Sequence, residues 1–174
     1  MSSRLPERID PVRLAERGVR LAGELGLERM IRLAAVIVEG AGEAEIELFF
    51  AVEALGRVRI TGGVSARVFM TCQRCLEPIE LALEKPVNLL TVSDDRSASA
   101  LHDDAEPLIY DEGSLSLVEV VEDELLLALP QEAKHTAGSC AKQHVWRSGE
   151  PTLQGGVEQE PNPFAVLEQL KRRN

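Results

Sequence analysis

The chain has 174 residues, 44% of them hydrophobic, which is enough for one sizeable core and too few for two comfortable domains. No uncharged apolar stretch approaches the roughly 20 residues that cross a bilayer, and Arg4 and Glu7 interrupt any signal-peptide pattern, so a soluble cytoplasmic protein with no membrane partner is expected. The formal charge of −10 is concentrated in residues 94–124, which hold eleven acids against one base, whereas Arg57–Arg74 holds four arginines and no acid, so whole-chain acidity does not exclude local contact with phosphate.

In chain order, Asp10 and Pro11 are placed as N-cap and first residue of a short helix that ends near Gly18. A second helical turn is expected around Leu27–Arg32. From Leu33 the spacing of Ala35, Ile37 and Glu39 predicts a strand, paired antiparallel through a Gly40–Gly42 turn with the alternating segment of Ile46, Leu48 and Phe50. Val58 and Ile60 alternate with Arg57 and Arg59, Gly62–Gly63 permits a hairpin turn or bulge, and Val64, Ala66, Val68 and Met70 continue the pattern. A further strand runs from Ile79 to about Thr91, with Pro86 suited to an edge or a bulge.

Residues 93–106 have too little apolar content to offset the entropy of ordering and read as an acidic mobile loop. After the apolar piece Leu108–Tyr110, SLSLVEVVEDELLLALP is the strongest helix in the chain, capped by Ser114 or Ser116 and stopped by Pro130. Its stripe of Leu117, Val120, Val121, Leu125, Leu127, Ala128 and Leu129 should dock on the sheet, leaving Glu119, Glu122 and Asp123 on the wet side. Residues 147–160 form a linker, and PNPFAVLEQLKRR closes the chain as an amphipathic helix. The expected fold is α+β: a curved antiparallel β-meander or partial barrel of about five to six strands packed by one long helix, with short N- and C-terminal helices. Residues 1–146 form the domain and 147–174 the linker and tail.

Cys72-Gln-Arg-Cys75 follows directly on a predicted strand. Two thiolates at this spacing can chelate one tetrahedral cation about 2.3 Å away, and His135 with Cys140, an H-x4-C spacing just past the long helix, would complete a Cys3His set, with His144 as an alternative nitrogen donor. The other readings are a redox pair, which favours a helix N-terminus in a βαβ setting, and three unrelated free thiols. Arg57, Arg59, Arg67 and Arg74 are the candidate RNA-binding residues, against the alternative of a solvated outer face. With 3% aromatic residues, and Phe49, Phe50 and Phe69 wanted by the core, reading of single strands by stacking is not expected. No phosphate loop, dinucleotide fingerprint or nucleophile elbow is present, and no catalytic residue is assigned.

The combination of VSARVFMTCQRCLEPIE, SLSLVEVVEDELLLALP, His135 with Cys140, and PNPFAVLEQLKRR resembles the bacterial YceD family, the large ribosomal RNA subunit accumulation proteins. The chain departs from the family's pattern at Gln131-Glu132-Ala133-Lys134, where a proline-rich apolar stretch is usual. The resemblance implies a cytosolic, non-enzymatic factor needed for synthesis, processing or stability of 23S ribosomal RNA. Its expected partners are ribosomal RNA or a large-subunit assembly intermediate. The alternative is a protein-binding module that holds a small basic ribosomal protein of the large subunit.

Overall fold

The structure is a computed structural model that describes residues 5–38, 42–101, 104–110, 113–136 and 138–140. The chain starts with β1 (Arg8–Ile9) and α1 (Pro11–Glu16), capped as expected by Asp10, whose carboxylate accepts from the Arg13 N–H at 3.1 Å. Gly18, at φ 58°, turns the backbone out of the helix. The chain then enters β2 (Arg20–Gly26), a strand with little signal in the sequence because Ala22, Gly23 and Gly26 interrupt its alternation.

The expected strand from Leu33 does not form. A 3-10 turn (Leu27–Arg29) leads into α2 (Ile31–Ala34), and the Ile37 N–H bonds the Leu33 carbonyl at 3.2 Å. Leu33 and Ile37 are four apart, so their spacing serves one helical face as well as one strand face, and both are buried while Ala35 is exposed. The partner of β3 (Glu43–Val52) is therefore β2, in register from Arg20↔Phe49 to Gly26↔Glu43.

β4 (Val58–Thr71) runs without a break through Gly62 and Gly63, so neither the hairpin turn nor a bulge forms there. Gly62 holds φ 145°, and a Cβ on it would lie 1.9 Å from the Glu47 carbonyl oxygen, so glycine answers a close approach of β3. β5 (Pro78–Val92) pairs with β4 along nearly its whole length and is likewise unbroken at Pro86, on whose other side no strand pairs among the described residues. Residues 93–106, expected as a loop, carry α3 (Asp95–Ser99), capped by Asp94, and lead to β6 (Glu106–Ile109). β6 lies parallel to β5, so the five-stranded sheet, β2-β3-β4-β5-β6, is curved, mostly antiparallel and open rather than closed.

β7 (Leu115–Ser116) pairs with β1, and Ser116 caps α4 (Leu117–Ala128), its hydroxyl accepting from the Glu119 N–H at 3.3 Å. Leu117, Val121 and Leu125 of α4 pack with Leu48, Ile60 and Val68 on the sheet's inner face. The stripe is narrower than expected, since Leu127 is 64% exposed. Glu122, expected on the wet side, is buried: its carboxylate accepts from the Arg32 and Leu33 N–H groups at 2.6 and 3.0 Å, capping α2 from a distant part of the chain. Among the described residues, no helix is long and apolar enough to cross a membrane. The expected linker and C-terminal helix, and His144, lie outside the described residues.

Candidate metal centre

The Cys72–Cys75 turn follows directly on β4. The Leu76 N–H bonds the Cys72 carbonyl at 2.9 Å, and Leu76 takes a left-handed φ of 61°. The Cys72 N–H then bonds the Glu77 carbonyl at 2.9 Å, returning the chain toward β5. This tight reversal brings two thiols to one side. The other candidate ligands come from the segment after α4, held against the turn by the Gln73 N–H, which donates to the carbonyl of buried Ala133 at 2.8 Å. The segment Gln131–Lys134 thus docks on the turn through Ala133.

Cys72, Cys75, His135 and Cys140 present ligand atoms that all lie within 4.8 Å of one another. Cys72 Sγ is 4.0 Å from Cys140 Sγ, and His135 Nδ1 is 3.4 Å from Cys75 Sγ and 3.9 Å from Cys140 Sγ. A tetrahedral site with metal–sulfur bonds of about 2.3 Å has edges of about 3.8 Å, so these spacings fit the donor set to one cation. A disulfide needs sulfurs about 2.05 Å apart, and the three cysteines are free. All three are buried.

Burial pushes the Cys72 thiol up, but the backbone N–H groups of His135, Cys75 and Arg74 outweigh it and bring Cys72 down to about 5. Burial, together with hydrogen bonds to Cys75 and Cys72, pushes Cys140 up. Arg74 Nη1 lies 3.8 Å from Cys140 Sγ. Three thiolates and a neutral imidazole around a divalent cation would carry a net −1, which this guanidinium would offset.

The other three candidate arginines do not join Arg74. Arg57 Nε donates to the Ala54 carbonyl at 3.4 Å in the turn before β4. Arg59 is half-buried, with Nε 2.7 Å from Glu53 Oε1 and Nη1 3.0 Å from Asn88 Oδ1. Arg67 lies eight residues further along β4, about 27 Å away at the rise of a strand, beside Glu80 at 3.7 Å. Of the phenylalanines expected in the core, Phe50 is buried, Phe69 is half-buried, and Phe49 is 44% exposed under the Arg20 guanidinium, 5.6 Å from its ring centre. Sequence reasoning also missed Glu122, since a tertiary helix cap carries no local signal.

A family model described as "Large ribosomal RNA subunit accumulation protein YceD" matches residues 60–171, a span that includes all four candidate metal ligands. A curated protein of that name from Haemophilus influenzae is 33% identical over 174 residues, covering 98% of this chain and 98% of its own length. No solved structure matches. A match over more than half of the chain and a relative of that similarity end to end place this protein in the YceD family of large ribosomal RNA subunit accumulation proteins.

Proposed function

We propose that this protein is a non-enzymatic ribosome-biogenesis factor of the cytoplasm, needed for synthesis, processing or stability of 23S ribosomal RNA and acting by binding ribosomal RNA or a pre-50S particle. The observation that carries the reading is the end-to-end similarity to a relative named for large ribosomal RNA subunit accumulation. In this reading the Cys72, Cys75, His135 and Cys140 set holds a structural zinc ion, because a closed donor set of three sulfurs and one nitrogen leaves no open position for a reacting water. The metal ties the end of β4 to the segment after α4. Depletion of the protein in cells should lower 23S relative to 16S ribosomal RNA, and re-expression should restore the ratio. An unchanged ratio on depletion defeats the proposal, and defined cleavage of precursor ribosomal RNA by the purified protein defeats its non-enzymatic part.

A second reading, a module that holds a small basic ribosomal protein of the large subunit, is favoured by the charge pairing on the sheet. Arg59 and Arg67 each meet a glutamate, which leaves them less to offer phosphates. Pull-down from a nuclease-treated lysate separates the two, since a partner held through RNA is lost and a protein held directly is kept.

A further inference from the structure

The outer face of the sheet carries a trough. A hollow of about 700 Å³ is lined by residues of β2–β5 alone, floored by Gly62 and Gly63 and bordered by Glu45, Glu84 and Phe49. It continues along β4 into a second hollow of about 460 Å³ that shares Glu45, Ser65 and Glu84 and reaches Phe69. From Gly62 to Phe69 is about 23 Å at the rise of a strand, the length of an extended segment of about seven residues.

Two independent features define its occupant. The first is charge. Arg20, Arg59 and Arg67 of this face, and Lys85 at the border of the first hollow, are each paired with a carboxylate, from Glu47, Glu53, Glu80 and Glu106. Glu45 and Glu84 make no ion pair or hydrogen bond among the described residues. Repulsion from Glu24, with a shared hydrogen bond and burial, raises the Glu43 carboxyl at the end of the trough, so the local potential is negative.

The second feature is Gly63. Unlike Gly62 it needs no glycine backbone, and a Cβ there would meet nothing nearer than the Lys85 carbonyl oxygen at 3.7 Å. Glycine inside a strand costs stability relative to a β-former, and here the space a side chain would fill is left open to the trough.

We propose that this trough docks an extended, arginine- or lysine-bearing segment of another protein. The negative potential draws in the cationic side chains, the bare glycine floor admits the partner's backbone, and Phe49 and Phe69 offer apolar contact to its alternate residues. The proposal deepens the protein-holding reading above by naming the surface and the chemistry it recognises.

The test uses the full chain and a fluorescent nonapeptide of alternating arginine and alanine, with a glutamine–alanine peptide as control. The cationic peptide should bind with a salt-sensitive affinity and the control should not. Gly63→Val should weaken binding at least tenfold while raising the unfolding temperature or leaving it unchanged. The pair Glu45→Gln with Glu84→Gln should weaken binding about tenfold and flatten its salt dependence, which keeps the test decisive if Gly63→Val folds poorly. Glu119→Gln on α4 should change nothing.

Binding untouched by the trough variants, or no binding at all, overturns the proposal. So does loss of affinity for a 23S ribosomal RNA fragment in Gly63→Val, which would make the face a nucleic-acid surface. Much tighter peptide binding on deletion of residues 161–174 would name the chain's own basic tail as the occupant and overturn it too. Failure of the biogenesis reading shows separately, as an unchanged 23S to 16S ratio on depletion while peptide binding persists.

Discussion

Burial alone would push the Glu122 carboxyl up, but the Leu33 N–H and the side chain and N–H of Arg32 donate to it and hold it below the ordinary carboxylate range. Its contribution to stability is therefore complete above about pH 4.5 and is lost as pH falls through its folded value. Glu124, two residues on, behaves oppositely. Burial raises it, its Oε2 accepts no hydrogen bond among the described residues, and Lys85 Nζ stands 3.6 Å away. Its contribution is present at acid pH and is lost as pH rises through its folded value. At pH 7, Glu122→Gln should cost about 1–3 kcal/mol, whereas Glu124→Gln should be neutral or stabilising. Urea melts at pH 4 and pH 7 check both signs, and the penalty of Glu122→Gln should shrink at the lower pH. At the candidate metal centre, Cys75→Ser should lower the unfolding midpoint by on the order of 10 °C, and elemental analysis of protein purified without chelator should find close to one zinc per chain. Arg74→Ala should leave the fold intact yet weaken zinc retention about tenfold or more in competition with a chelator. That Cys72, Cys75, His135 and Cys140 come together was legible as a candidate set, because a chelating site would restrict both residue type and spacing. The support given by Arg74 was not, because it depends on where Cys140 arrives in space.

At the scale of the element, α4 was readable in its cap, its stop and most of its buried positions, since each rests on neighbours within one or two turns. Its outer limit was not, because Leu125 and Leu127 look alike in sequence and differ only in what lies across from them. Leu125→Ala should cost about 2–5 kcal/mol and Leu127→Ala within about 0.5, measured by denaturant unfolding. The strands with clean alternation, β3 and β4, were legible. The segment from Leu33 was misread because Leu33 and Ile37 suit either period, and the donor acceptance that settles it as α2 comes from Glu122, about ninety residues away. β2 escaped notice because an edge strand with few large apolar residues depends on the neighbour it pairs with.

For the molecule as a whole, four arginines without an intervening acid suggested a basic face, yet sequence separation says nothing about the strands on either side. Once β3 and β5 flank β4, Glu45, Glu47, Glu80 and Glu84 share that face with Arg59 and Arg67. Charge runs are legible in a sequence, whereas the sign of a sheet face is a property of register. For the C-terminal region the expectation stays at the level of composition. Residues 147–160 are poor in apolar side chains, while Phe164, Leu167 and Leu170 favour a surface. Deleting 147–174 should leave the thermal midpoint nearly unchanged and reduce co-sedimentation with ribosomal particles, and a collapse of stability would assign the tail to the core.

The separation of the ligands along the chain also has a meaning in time. Cys75 and His135 are 60 residues apart, and Cys72 and Cys140 are 68. At a synthesis rate of about 5–20 residues per second, the first thiol pair leaves the ribosome roughly 3–12 s before its partners. Through that interval β5, β6 and α4 are still being made, and a cation held by Cys72 and Cys75 alone would keep two positions open to exchange. On the proposed site, closure would wait on His135 and Cys140, so a four-ligand centre would register that the chain has been completed through Cys140.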